Sequence, residues 1–501
     1  MRRCGRLVAS TTKLVVPVGR ASGVPAGLSV RAVVPALVPS VVLVLTLLVG
    51  AVACAPDPDV GAARAPGTTG TIRPKPVVPT PVGEDPLPPA LEERLQRVLD
   101  ATRPTLTGTP GLIAGVWVPG TGAWASISVE ADPTTSETLA TNDHVRIGTV
   151  TTSMTVALIL QLVDQGKLGL DDPISKWFPA IPDADRITVR NLATMRGGVG
   201  DTVRGGVIGQ QRAADRSRAF TPEELTAGAA PAAPGAGTGT GTTWSDTNTI
   251  LLGQIVEQVT GSPVRTVLQD RLFGPLGMHQ TALPEATDAS IPRPFTRGFT
   301  SVAGAGAGAG SGGGAGAGGP AGSGVASGAG TVEATGWNPS WLSSAGAATS
   351  TVGDLELWAR HLGSGELLSP GTFEAQRDFT TDDPNRPPYG MGLMSFPQAV
   401  QPSLAWVGFE GTIDGYSTLI AYDPATTAVI VVIATSDVRV RDPGDGPDVS
   451  RDPTAVVTPA RVAFEALREV LRKDPPPTTL PTLPPAPPLS TASPASSPAP
   501  G

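Results

Sequence analysis

The hydrophobic positions between residues 87 and 474 change period several times, and each change predicts a new secondary-structure element. Leu91, Leu95, Val98 and Leu99 recur at helical spacing, which predicts a first helix. Two strand-like runs follow it, and the Pro-Gly-Thr-Gly sequence between them is typical of a hairpin turn. The predicted strands are 112–118, 123–129, 404–408, 416–422 and 428–434. Further helices are predicted at 151–165, 222–227, 248–259, 263–272, 352–362 and 454–472.

The order of these elements predicts the fold class. One helix and two strands come first, many helices follow, and three strands and a helix complete the unit. The strands at the two ends of the unit then belong to one antiparallel sheet, and a helical region is inserted between its halves. The sequence therefore predicts an α+β fold.

Three segments lack the apolar periodicity of a folded domain. Residues 54–86 consist largely of Pro, Gly, Thr and Val, which predicts a semi-extended tether. Residues 303–330 are almost entirely Gly, Ala and Ser, which predicts a disordered insertion in a surface loop. Residues 475–501 form a Pro-rich tail that is also predicted to be disordered. One folded domain, residues 87–474, remains.

The N-terminus has the pattern of an exported protein. Basic residues precede a short apolar run, Val41–Val52, whereas about 20 apolar residues are needed to span a bilayer. The sequence Ala51-Val52-Ala53-Cys54 looks like a bacterial lipobox, in which the cysteine is acylated after cleavage. Residues 1–53 are therefore predicted to be a lipoprotein signal peptide, with lipid on Cys54 holding the protein on the outer face of the cytoplasmic membrane. An uncleaved signal anchor is the alternative.

Composition narrows the possible partners. A net charge of −8 without a basic stripe argues against a nucleic-acid partner. Cys4 and Cys54 are the only cysteines, so a chain cleaved before Cys54 can form no internal disulfide. The histidines His144, His279 and His361 are scattered without the spacing of metal ligands. The sequence therefore predicts neither a metal nor another cofactor.

Several spaced motifs together carry a family resemblance. In chain order they are Arg146-Ile147-Gly148, Gly166-Lys167-Leu168, Leu170-Asp171-Asp172-Pro173, Leu251-Leu252-Gly253, Phe273-Gly274-Pro275-Leu276-Gly277-Met278, Ser350-Thr351-Val352-Gly353-Asp354-Leu355 and Tyr389-Gly390-Met391-Gly392. Over residues 87–472 this series resembles the serine β-lactamase and penicillin-binding-protein family, including its class C β-lactamases and D-Ala-D-Ala carboxypeptidases. The resemblance implies a β-lactamase/transpeptidase-like fold.

The resemblance also implies where the catalytic groups should lie. In the family a serine at the start of a helix attacks an acyl carbon, and a lysine three residues later takes its proton. The chain reads Thr149-Val150-Thr151-Thr152 at this point, so Thr149 holds the serine position and Thr152 the lysine position. A threonine hydroxyl cannot act as a base at neutral pH, and the loss of a positioned base costs about 10²–10⁴ in rate.

The other two catalytic motifs are changed as well. The family's Tyr-x-Asn motif, whose tyrosine shares the base role, reads Trp244-Ser245-Asp246, and an indole N–H can only donate. The Lys-Thr-Gly or His-x-Gly motif reads Phe409-Glu410-Gly411, which removes the cation that binds the substrate carboxylate. The backbone N–H groups of Thr149 and Thr412 could still form the family's oxyanion hole.

Changes at all three motifs predict a degenerate catalytic site in a lipoprotein that binds or scaffolds in the cell envelope. A cleft lined by Trp244, Asp246, Phe409 and Glu410 would suit an apolar or cationic group of a cell-wall fragment, a peptide or an envelope protein. A collapsed cleft without a ligand is the alternative for this site.

Two other functions stay open. One is an active hydrolase in which Thr149 attacks an ester, a β-lactam or a D-Ala-D-Ala peptide, with Asp246 or Glu410 as a non-standard base. The other is a structural spacer whose tether and tail reach across the cell wall.

Overall fold

A central sheet joins the two ends of the folded domain in the computed structural model. The structure describes residues 85–130, 139–230, 241–301, 330–381, 386–397, 405–441 and 456–473. The predicted signal peptide, tether, Gly/Ala-rich insertion and Pro-rich tail lie outside these residues, apart from residues 85, 86 and 330. Within the described residues, no helix combines the length and apolarity that a membrane span requires.

The helices and strands of the described residues are numbered in chain order. The helices are α1 Pro89–Thr102, α2 Val150–Asp164, α3 Val189–Ala193, α4 Gly206–Ala214, α5 Pro222–Thr226, α6 Asp246–Thr260, α7 Val264–Leu268, α8 Val352–Ser364, α9 Pro370–Gln376 and α10 Pro459–Lys473. The strands are β1 Gly111–Val118, β2 Gly122–Val129, β3 Val145–Arg146, β4 Phe299–Ser301, β5 Thr331–Glu333, β6 Thr349–Ser350, β7 Met394–Phe396, β8 Trp406–Ile413, β9 Tyr416–Tyr422, β10 Val429–Ala434, β11 Val440–Arg441 and β12 Val456–Val457.

The main sheet has six strands in the order β2-β1-β10-β9-β8-β7. All its pairs are antiparallel, and β1 joins β10 with Leu112 opposite Ala434. Strands from both ends of the domain therefore share one sheet, and α2 to α9 come between them in the chain. The prediction of an α+β fold with an inserted helical region is confirmed.

Helices pack against this sheet and against one another. Helices α1 and α10 contact each other and the sheet, and α8 packs against β1, β9 and β10. Helix α2 contacts α6 and β8, so the Thr149 segment and the Phe409 segment come together. Helix α2 is followed by Gly166 at φ 67°, a left-handed conformation that favours glycine, as its position predicts.

Two predicted boundaries were wrong near the C-terminus. The predicted strand 404–408 is displaced, because β8 runs from Trp406 to Ile413 and takes in the whole Phe409-Glu410-Gly411 motif. The predicted helix 454–472 begins later, because residues 456 and 457 pair with β11 before α10 starts. The motif therefore lies in an extended strand, where successive side chains point to opposite faces.

Candidate functional site

The nucleophile position and the predicted oxyanion hole lie together at the start of α2. Thr149 directly precedes the first residue of α2, and only 4% of it is exposed. The backbone N–H of Thr412 in β8 donates to Thr149 Oγ1 over 3.3 Å. The structure thus places one of the two predicted oxyanion-hole donors beside the Thr149 hydroxyl.

Gly411 makes this close approach of β8 to α2 possible. A Cβ atom at residue 411 would lie 2.4 Å from the backbone nitrogen of Val150 and 2.7 Å from the carbonyl oxygen of Ile147. Any side chain there would force the strand away from the helix. The glycine of the third motif therefore has a packing role that is independent of catalysis.

The position predicted for the base holds a buried neutral hydroxyl. Thr152 is fully buried, and its Oγ1 donates to the backbone oxygen of Ala345 over 3.0 Å. The next residue, Ser153, donates to Val150 O and accepts from the indole N–H of Trp358 at 2.9 Å. These hydroxyls satisfy carbonyl and indole groups of the core, and none of them can take a proton from Thr149 at neutral pH.

The lysines of the described residues do not supply the missing base. Lys167 is exposed beyond the far end of α2, about 22 Å from Thr149 for a 15-residue helix. Lys176 bonds Asp172 at 2.5 Å, and Lys473 at the end of α10 pairs with a glutamate of the same helix.

Aromatic rings occupy the positions predicted for the other two catalytic side chains. The rings of Trp244 and Phe409 lie 6.2 Å apart between centroids, and Tyr389 packs edge-on against both, at 5.5 and 6.2 Å. Burial raises the pKa of Tyr389, whose hydroxyl oxygen accepts the backbone N–H of Gly392 at 3.2 Å. Tyr389 thus belongs to an apolar cluster, although the sequence indicated it only as part of a family motif.

Asp246 is neutralised by a guanidinium that sequence reasoning did not identify. Asp246 is fully buried at the first residue of α6, and Arg204 Nε donates to its Oδ2 at 2.6 Å. The indole N–H of Trp244 donates to its other oxygen at 3.1 Å. Because both oxygens are occupied, the hypothesis that Asp246 acts as a base for Thr149 has no support in this geometry.

Asp201 is a further carboxyl beside the same guanidinium. Its Oδ2 lies 3.7 Å from Arg204 Nε, and its Oδ1 accepts the backbone N–H groups of Val203 and Arg204. Burial, and secondly the charge of Asp246, raise the pKa of Asp201 to about 6. No sequence motif indicated this residue, because the pairing depends on a contact across 42 residues between Arg204 and Asp246.

Glu410 does not join Trp244, Asp246 and Phe409 in one pocket, which corrects the sequence prediction. Its carboxylate accepts from Thr458 Oγ1 and lies 3.2 Å from Arg461 Nη1, both at the start of α10. Phe409 and Gly411 instead face the α2 side of β8. The alternation of side chains along a strand explains this separation of adjacent residues.

The histidines are dispersed in the structure. His144 Nδ1 lies 3.0 Å from the backbone oxygen of Pro294, and His361 Nδ1 lies 2.9 Å from a carboxylate oxygen of Glu366. Across the described ranges, no three His, Cys, Asp or Glu side chains are grouped so that they could hold a metal ion.

Comparison with known proteins assigns the family. The Beta-lactamase family model matches residues 98–452, and the chain belongs to that family. The chain is 27% identical over 136 residues to the putative penicillin-binding protein PbpX of Bacillus subtilis, across 26% of this chain and 31% of the relative. It is 31% identical over 165 residues to penicillin-binding protein 4 of Amycolatopsis lactamdurans, across 30% of this chain and 39% of the relative. These alignments thus span less than half of each curated relative.

Solved structures agree with the fold over a larger part of the chain. A D-stereospecific amidohydrolase from Streptomyces sp. matches with a TM-score of 0.57 and 25% identity, over 69% of this chain and 94% of its own. The D-amino acid amidase of Ochrobactrum anthropi SV3 matches with a TM-score of 0.59 and 22% identity, over 77% and 99%. The β-lactamase/transpeptidase-like fold inferred from the motifs is confirmed.

Proposed function

We propose that this β-lactamase-family domain binds a ligand in the cell envelope without forming an acyl-enzyme. The single observation that carries the proposal is the buried hydroxyl of Thr152, bonded to Ala345 O, where a proton acceptor for Thr149 is required. Loss of a positioned base costs about 10²–10⁴ in rate. The aromatic side chains of Trp244 and Phe409 support the same conclusion, because neither can accept a proton or bind a carboxylate as a cation would.

The ligand class follows from the relatives and from the aromatic side chains. The curated relatives include penicillin-binding proteins, and one solved neighbour is a D-stereospecific amidohydrolase, which supports a cell-wall peptide fragment as the ligand. The indole of Trp244 is the partly exposed member of the aromatic cluster and is the group we expect to contact this ligand. An envelope protein presenting a similar peptide is the other possible partner.

An active hydrolase is the second candidate. The contact between Thr412 N and Thr149 Oγ1 favours it, because this contact keeps a hydroxyl beside an oxyanion-hole donor. The two bases suggested by the sequence are engaged elsewhere, Asp246 by Arg204 and Glu410 by Arg461. A hydrolase would therefore need another proton acceptor close to Thr149.

We also propose that lipid on Cys54 anchors the protein to the outer face of the cytoplasmic membrane. The lipobox-like sequence Ala51-Val52-Ala53-Cys54 supports this location. Expression in a bacterial host should yield a membrane-bound chain that begins at Cys54 and carries acyl groups by mass spectrometry. A Cys54→Ser variant should lose both the processing and the acyl groups, whereas Cys4→Ser should keep both.

An acylation assay distinguishes the proposed binding protein from an active hydrolase. The purified protein is treated with a fluorescent penicillin and with a fluorophosphonate, and adducts are read by intact mass. We expect no adduct with either probe, while a catalytically competent penicillin-binding protein treated in parallel should be labelled. A stoichiometric adduct that maps to Thr149 and disappears in Thr149→Ala would establish the hydrolase instead.

A further inference from the structure

The helix α4 is tied by charged side chains to two different parts of the site. At one end Arg204, just before α4, pairs with Asp246 at the start of α6 at 2.6 Å. Near the other end Arg212 pairs with Asp414, in the turn between β8 and β9. Both pairs are largely shielded from water, since the side chains of Arg212 and Asp414 are only 15% and 16% exposed.

Each anchor point adjoins a residue or ring of the candidate site. Asp414 follows Thr412 by two residues, and Asp246 follows Trp244, whose ring contacts Phe409 of β8. The indole of Trp341 lies beneath both guanidiniums, with Arg212 at 3.5 Å and Arg204 at 5.5 Å from its centre. Through its two ion pairs, α4 therefore links the turn that follows Thr412 to the start of α6, next to Trp244.

Apolar packing contributes little to holding α4 in this place. Ile208 is its one buried residue, and Val207 is 68% exposed. Gly205 and Gly206 precede the first full turn, a Cβ atom at either would meet no atom within 4 Å, and Gly206 has φ 57°. A helix with a glycine pair at one end and one buried side chain depends on its ion pairs for its position.

We propose that the segment Arg204–Arg212 is a lid over the Thr149 site, and that opening of the Arg212–Asp414 pair admits a ligand. Rupture of this pair releases the distal end of α4, which then turns about Gly205 and Gly206. Arg204 keeps its place, because its partner Asp246 is fully buried. This inference concerns access to the site and does not depend on whether Thr149 reacts.

A single cysteine at the site measures the opening of the lid. Cys4 and Cys54 are the only natural cysteines, so the full chain with both changed to serine and with Thr149→Cys carries one buried thiol. The rate at which iodoacetamide alkylates this thiol reports how often the site is exposed. The added pair of changes Arg212→Gln and Asp414→Asn should raise this rate about tenfold or more.

A surface ion pair gives the matched control. Arg190 and Asp171 lie 2.9 Å apart with side chains 41% and 79% exposed, and Arg190→Gln with Asp171→Asn should change the alkylation rate by less than about twofold. Equal alkylation rates in the Arg212/Asp414 variant and in the single-cysteine parent would contradict the proposal of a lid.

Hydrogen exchange of the unmodified protein keeps the test decisive if the Arg212/Asp414 variant does not fold. Local opening of the lid exposes its amides without unfolding of the domain. The amides of α4 should therefore exchange at least about tenfold faster than those of α6, which lies in the core. Exchange of α4 at the same rate as α6 would refute the proposal.

Discussion

The buried ion pair between Arg204 and Asp246 gives the sharpest test of the site's electrostatics. The Asp246 carboxylate is fully buried, with one oxygen 2.6 Å from Arg204 Nε and the other 3.1 Å from the indole nitrogen of Trp244. Replacing Arg204 with alanine leaves this carboxylate with a neutral N–H donor and no cation in hydrogen-bond contact. The expected result is a large loss of folding stability.

The size of the loss follows from the surroundings of the two groups. Removing one partner of a buried ion pair costs about 3–5 kcal/mol, because the remaining charge stays desolvated. Two features indicate that the loss for this pair lies at the lower end of that range. The Arg204 side chain is 27% exposed, so water can reach the vacated space. Asp246 also opens α6, where the helix dipole favours a negative charge by about 0.3–1 kcal/mol. We expect Arg204→Ala to lower the free energy of unfolding by about 3 kcal/mol.

Equilibrium denaturation in urea measures this loss, with Arg190→Ala as the control. Arg190 pairs with Asp171 at 2.9 Å, but that aspartate is 79% exposed, so the control should lose less than about 1 kcal/mol. A loss for Arg204→Ala below about 1 kcal/mol, or equal to that of the control, would refute the argument that burial makes this pair decisive.

Three other variants test the packing and the pH dependence of the domain. Gly411→Ala should lower the free energy of unfolding by at least about 2 kcal/mol in urea denaturation, since its Cβ would lie 2.4 Å from the α2 backbone. Trp358→Phe should cost about 2 kcal/mol in the same assay, because Ser153 loses an indole N–H bond of 2.9 Å and a cavity remains. Burial raises the pKa values of Asp201 and Asp437 to about 6 in the folded state. The folded state therefore binds these protons more tightly than the unfolded state, and stability should fall as pH rises from about 4 to 7. Asp201→Asn should reduce the total loss of stability over this pH range by roughly 2 kcal/mol, measured by urea denaturation at several pH values. An unchanged pH profile would contradict the raised pKa of Asp201.

The sequence predicted those elements that an apolar run, a turn signal or a regular apolar spacing marks. The β1–β2 hairpin was predicted correctly from two apolar runs with a Pro-Gly-Thr-Gly turn between them, and nearly all residues of both strands are buried. Helix α8 was predicted correctly because its core positions repeat at the helical period. Helix α4 was not predicted, since a helix with one buried residue has no apolar stripe. Its position depends on charged partners in distant segments, and sequence spacing does not reveal such partners.

The candidate site was predictable to the extent that it depends on the backbone. The motif order located Thr149 beside the N–H of Thr412, and the structure brings the two together. The sequence could not show that Arg204 neutralises Asp246, because the guanidinium comes from an unpredicted segment. The prediction that Glu410 and Phe409 line one pocket was wrong. The sequence could have excluded it, because consecutive residues of a strand face opposite sides of the sheet.

The contact between the Thr412 N–H and Thr149 does not by itself indicate catalysis. Gly411 lets β8 approach the backbone of α2, and this approach brings the N–H of Thr412 to the start of the helix. Packing of the strand against the helix requires that approach whether or not Thr149 reacts, so selection for a stable fold alone can preserve it. The side chains that transfer protons have no such packing constraint, and Thr152 shows what can replace one of them. Its hydroxyl satisfies the carbonyl of Ala345 within the core, where a lysine would have to keep a charged amine available to Thr149. In this chain the packing of β8 against α2 is therefore sufficient to explain the contact between Thr412 and Thr149, and activity has to be judged from the side chains.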